Sequence, residues 1–120
     1  MKTFCVLEQG AFVNDPLTLE HKQQFETEFS DFYRLNWKTH DDPNAFISDT
    51  NCIWSEGRSL LYHNVPKEYD YYIIIDDDVK FHGDNVAENI KKLLEEYKPL
   101  TGTFMDYFYS TIEEKGGKKR

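Results

Sequence analysis

With 120 residues, 39% of them hydrophobic and 16% aromatic, the chain can build one domain with a core, burying about two-thirds of its unfolded surface. That composition excludes general disorder, and the length excludes a second independent domain. The net charge of -8, from 22 acidic against 14 basic residues, repels a phosphate backbone and argues against nucleic acid as a partner.

Residues 2–7, "KTFCVL", have the composition of a strand that stops at "EQG", where Gly10 can supply a turn. Asp15 then offers an N-cap and Pro16 the first position of a helix, and Phe25 and Phe29 follow at helical spacing, so a helix is expected over about 16–29. "FYRLNW", residues 32–37, alternates large apolar side chains with Arg34 and Asn36 and reads as a second strand. After the loop "KTHDDPN", the stripe Ile53, Trp54, Gly57, Leu60, Leu61 predicts a second helix.

"YDYYIII" does not alternate, which suits a strand covered on both faces in the middle of a parallel sheet. Val86, Ile90, Leu93, Leu94 and Tyr97 form a helical stripe that stops before Pro99. "LTGTF", residues 100–104, returns to strand composition, and "MDYFYSTI" reads as a further strand or packed loop. The expected organisation is one α/β domain over 1–112, with a basic flexible tail at 113–120. The alternation of strands and helices implies a three-layer sandwich around a mainly parallel sheet.

No apolar run approaches the roughly 20 residues of a membrane span, and "MKTFCVLEQG" turns polar too soon for a signal peptide. Cys5 and Cys52 lack CxxC spacing, so buried free thiols in a soluble cytoplasmic protein are expected. The four histidines, His21, His40, His63 and His82, show no metal-ligand spacing and read as surface or partly packed residues; His82 is the best exception, four positions after the aspartates.

The apolar strand ends in Asp76, Asp77 and Asp78. In open α/β sheets ligands gather outside the carboxyl ends of the strands. If the strand conformation continues, Asp76 and Asp78 face one way and Asp77 the other. Two carboxylates on one side suit Mg²⁺ or Mn²⁺, which commonly complete their shell with substrate phosphates. The competing reading is a solvated acidic turn, since Asp is an ordinary turn former. Three adjacent carboxylates repel one another, so a cation, an arginine or full solvation must neutralise them.

Residues 54–81, "WSEGRSLLYHNVPKEYDYYIIIDDDVKF", resemble the nucleotide-sugar-binding half of glycosyltransferases of the GT-A fold, a Rossmann-like architecture in which a strand with a tyrosine-rich approach ends in a DxD motif. The similarity spans roughly residues 50–104. It implies a Mn²⁺- or Mg²⁺-dependent glycosyltransferase that binds a nucleoside-diphosphate sugar and passes the sugar to an unidentified acceptor hydroxyl. On that resemblance Asp76 and Asp78 hold the cation and Asp77 touches the ribose. Arg58 stands near the diphosphate, although a solvated pairing with Glu56 or another carboxylate accounts for it equally. Glu8, Gln9 and Gly10 lie where the family receives the nucleoside.

The family continues well beyond its DxD half, and this chain has no histidine after His82, which implies a truncated version. Asp106 is the best late carboxylate for a catalytic base. A haloacid-dehalogenase phosphatase expects Thr or Val where this chain has Lys80, and an EF-hand calcium loop lacks its spacing here. The alternative to an enzyme is an acidic interaction domain, or a nucleotide-sugar-binding remnant of a larger transferase. Its aromatics, such as Tyr107, Phe108 and Tyr109, would then meet a partner or a second copy in a homodimer.

Overall fold

The computed structural model describes residues 2–97, and the chain divides into two compact units, one ending at Val79 and the next starting at Lys80. The first holds β1 (Lys2–Gly10), α1 (Pro16–Phe25), β2 (Ser30–Asn36), β3 (Ile47–Ser48), α2 (Trp54–Asn64) and β4 (Tyr69–Asp76). The described part of the second holds α3 (Val86–Tyr97), over the span its apolar stripe predicts. The expected strand at 100–104, the segment "MDYFYSTI" with Asp106, the boundary at 112 and the tail at 113–120 lie outside the described residues.

The fold class is α/β, and among the described residues the sheet has four strands, all parallel, in the order β3-β2-β1-β4. Successive β1 side chains point to opposite faces. Phe4 packs edge-on against Phe25 of α1, while Cys5 and Leu7 join Leu35 and Leu61 of α2 in one apolar cluster. The two helices therefore cover opposite faces, and the first unit alone has three layers. Each fully buried side chain of the size of Leu7 or Phe4 contributes about 1.5–3 kcal/mol.

The run of tyrosines and isoleucines in β4 suggests a central strand; among the described residues it pairs with β1, and the segment expected to continue the sheet, 100–104, lies outside them. β1 lies between β2 and β4 and is buried from Phe4 to Gly10. It also runs three residues past the expected stop, because Glu8 and Gln9 continue the ladder as buried polar residues. In β4, Tyr71, Tyr72 and Ile74 are only half-buried.

Asp15 caps α1 as predicted, its carboxylate accepting from the Leu17 N–H at 2.8 Å with Pro16 following. The helix stops at Phe25, short of the expected 29. Ser30 Oγ donates to the Phe25 carbonyl at 2.7 Å, occupying an acceptor that a further turn would need. Phe29 then turns back onto Phe4. In α2, Gly57 and Leu61 are buried as expected, but Ile53 is the N-cap and lies exposed.

Both cysteines are free, Cys5 buried and Cys52 half-buried. Burial pushes the Cys5 thiol up to about 12, and burial raises Cys52 as well. Iodoacetamide at pH 8 followed by peptide mapping is therefore expected to leave Cys5 unmodified in the native protein and to label it after unfolding. Rapid native alkylation of Cys5 would show that the α2 face of β1 is not closed.

Candidate functional site

From β1 the chain passes through α1 to β2 on one side, and through α2 it reaches β4 on the other. The winding reverses between β1 and β4, the position at which open parallel sheets bind ligands at their carboxyl ends. Gln9 is the register partner of Asp76 there. The Asp77 N–H donates to the Gln9 carbonyl at 3.2 Å, and the Val79 N–H closes a turn onto the Asp76 carbonyl at 3.3 Å.

Those bonds set the directions of the carboxylates. Asp76 turns toward α2, its Oδ1 3.4 Å from Arg58 Nη2. Asp77 turns the other way and lies over Gly10, with Oδ2 4.0 Å from Arg34 Nη2. A Cβ at Gly10 would stand 2.0 Å from Asp77 Oδ2, so the acidic turn requires glycine at the end of β1. Asp78 is exposed within the turn. Because β4 ends at Asp76, strand alternation does not extend to Asp78, and the expectation that Asp76 and Asp78 share a side cannot rest on it.

Beneath the Asp77 side lies a buried polar cluster. Glu8 and Arg34 are register partners on neighbouring strands and both are fully buried. Arg34 Nη1 donates to Glu8 Oε2 at 2.5 Å and to Thr18 Oγ1 at 3.1 Å, Nε donates to Asp42 Oδ2 at 2.7 Å, and Nη2 donates to the Phe12 carbonyl at 2.6 Å. Asn36 Nδ2 adds a bond to Asp42 Oδ2 at 3.0 Å. His21 of α1 completes the cluster, with Nδ1 against Glu8 Oε1 and Nε2 donating to the Val79 carbonyl.

Glu8 is thus engaged below the carboxyl edge of the sheet by His21 and Arg34, while Gln9, Gly10, Asp76, Asp77 and Arg58 come together at the edge itself. His21 is not the surface or partly packed residue expected; it is buried, because α1 carries it and Thr18 one turn apart on the side that meets the cluster. No motif in the sequence marks Arg34, His21, Asp42, Asn36 or Thr18 as members of this cluster. The available signal was a carboxylate at the end of one apolar strand and an arginine within the next. Gln9 is buried against Gly57, and neither of its amide atoms has a protein partner among the described residues.

Burial opposes the Arg34 charge, but its bonds to Asp42 and Glu8 outweigh that and raise its pKa. Burial likewise pushes Asp42 upward, yet the bonds from Asn36 and Arg34 and the Asn44 N–H hold it below the ordinary carboxylate value. For Asp77 burial prevails: its carboxyl is raised, with Arg34 acting against the rise and Glu8 adding to it.

A carboxyl that holds its proton more tightly when folded than unfolded opposes folding once it ionises. Stability is then lost as pH rises from the ordinary 3.8 through the raised folded value. Asp77→Asn, which keeps the shape over Gly10, is expected to abolish that loss. Thermal midpoints of wild type and variant should converge at acid pH and separate in favour of the variant at pH 7. A variant less stable at pH 7 than at pH 4, relative to wild type, would show that attraction to Arg34 dominates instead.

For a hard divalent cation, half-exposed Asp76 and exposed Asp78 offer oxygens at the end of a strand, the two-carboxylate share that Mg²⁺ and Mn²⁺ take when phosphates or water supply the rest. Among the described residues no group of three or more His, Cys, Asp or Glu side chains could hold a metal ion. The donor chemistry of Asp76 and Asp78 is that of a substrate-completed cation and not that of a closed structural site. No helix among the described residues is long and apolar enough to cross a membrane. No family model matches this chain, and neither the curated proteins nor the solved structures contain a match.

Proposed function

We propose that the chain binds a nucleoside-diphosphate sugar through a divalent cation held by Asp76 and Asp78, and that it belongs to a glycosyltransferase transferring the sugar to an acceptor hydroxyl. The observation that carries this reading is the acidic turn at the β1/β4 reversal, where the carboxyl ends of two parallel strands and a helix arginine meet. Mn²⁺ or Mg²⁺, when bound, supplies Lewis-acid stabilisation of the departing diphosphate.

The residues of the chain position the ligand. Asp76 and Asp78 would hold the cation, with Arg58 beside Asp76 available to a diphosphate oxygen at the expense of a part-exposed pair worth about 0–1 kcal/mol. Gly10 leaves room for the Asp77 side chain that lies over it, and Asp77 would meet a ribose hydroxyl. The buried amide of Gln9 offers a donor and an acceptor next to Asp76. Asp106 would serve as the catalytic base. The free thiols of Cys5 and Cys52 suit the reducing cytoplasm proposed as its location.

Calorimetric titration with UDP and GDP, each with and without Mn²⁺, tests the reading. Binding of one nucleotide that requires the metal supports it. Heats at the level of dilution for both nucleotides at millimolar concentration would overturn it and leave the acidic interaction domain.

A further inference from the structure

Buried ion pairs are rarely more stabilising than apolar packing of the same volume, so a cluster of Glu8, Arg34, Asp42 and His21 sunk below the binding edge needs another reason to exist. Its contacts supply one. Each end of the cluster finishes on the backbone of a segment that frames the edge. Arg34 Nη2 holds the Phe12 carbonyl, and Asn36 Nδ2 reaches the Ala11 carbonyl at 3.4 Å, both in the loop between β1 and α1. His21 Nε2 holds the carbonyl of Val79, the last residue of the acidic turn.

We propose that His21 is a positioning residue for the acidic turn: by bridging Glu8 of β1 and the Val79 carbonyl it fixes the Asp76–Val79 segment to α1 and β1, while Arg34 fixes the facing β1–α1 loop to the same cluster. The turn's backbone bonds include that from the Asp77 N–H to Gln9 at 3.2 Å and that from the Val79 N–H to Asp76 at 3.3 Å. Without the bridge Asp77 loses its fixed placement over Gly10 and Asp76 its placement beside Arg58. A fully satisfied buried network of this kind rigidifies what it touches. The consequence for ligand affinity rests on the nucleotide-sugar reading, whereas the consequence for the turn does not.

The test uses the full chain with His21→Phe, which fills the space without hydrogen bonds, and His21→Gln, whose amide can still donate to Val79. Native-state hydrogen exchange of the Asp77 and Val79 amides is compared with that of Val6 and Leu7 in β1, and Mn²⁺ affinity in the presence of UDP is measured in parallel. In His21→Phe the turn amides are expected to lose about 10-fold or more of protection relative to the β1 amides, with Gln restoring most of it. Mn²⁺ affinity should fall about 10–100-fold, as for other supports of metal ligands.

Turn protection that is unchanged in His21→Phe, or that falls only in step with β1, would overturn the proposal and leave His21 a packing residue. Should His21→Phe not fold, His21→Asn, whose shorter amide cannot span both partners, carries the same comparison. Loss of turn protection in a protein that never binds Mn²⁺ with UDP would uphold the positioning role and sink the nucleotide-sugar reading separately.

Discussion

Replacing Arg34 by Met is expected to destabilise the protein by about 3–5 kcal/mol, because it leaves Glu8 and Asp42 as buried carboxylates without their cation. Against the 5–15 kcal/mol typical of a whole domain, that is roughly a fifth or more of the total. With a urea dependence of about 1–3 kcal/mol per molar, the denaturation midpoint should fall by about 2 M. The exposed pair Lys22–Glu26, at 2.9 Å, provides the control. Lys22→Ala should shift stability by no more than about 0.5 kcal/mol.

Arg34→Lys should recover little, since one ammonium cannot reach Glu8, Asp42, Thr18 and the Phe12 carbonyl together. A loss below about 1 kcal/mol in Arg34→Met would mean that water reaches the cluster, and the buried-network account would be wrong.

The second large effect is on binding and has the opposite sign for stability. Asp76→Ala combined with Asp78→Ala should abolish metal-dependent nucleotide binding. Outer supports of a metal are worth about 10–100-fold in affinity, so removal of both direct carboxylates should exceed about 100-fold. The same change relieves repulsion among adjacent acids, and the part-exposed Arg58–Asp76 pair it removes is worth about 0–1 kcal/mol at most. The doubly substituted protein is therefore expected to melt at the wild-type temperature or slightly above it. Loss of binding together with a large drop in melting temperature would instead assign the aspartates a role in holding the fold.

How much of this could be read beforehand follows from what each feature depends on. The α/β class, the capped start of α1 and the span of α3 rest on periods and caps within a few residues, and they are legible in the sequence. So is the acidic turn at a carboxyl end. The cluster under it is not, because Glu8 and Arg34 meet only through the β1–β2 register, and His21 reaches Val79 across 58 positions. The two residues of β3 have no period of their own; backbone bonds from Phe46 to Arg34 and from Asp49 to Asn36 place them.

Composition does not mark every buried strand: β1, between β2 and β4, carries Glu8 and Gln9 inside the sheet, and Arg34 and His21 hold Glu8 there.

Paramagnetic broadening by Mn²⁺ in the presence of UDP, followed on the amide resonances of the ¹⁵N-labelled chain, tests the central claim most directly. The account predicts selective loss of the Gln9–Ala11 and Asp76–Val79 signals, while Thr3 and Tyr69 at the opposite ends of β1 and β4 stay sharp. Uniform broadening, or broadening centred away from the β1/β4 carboxyl edge, would contradict it.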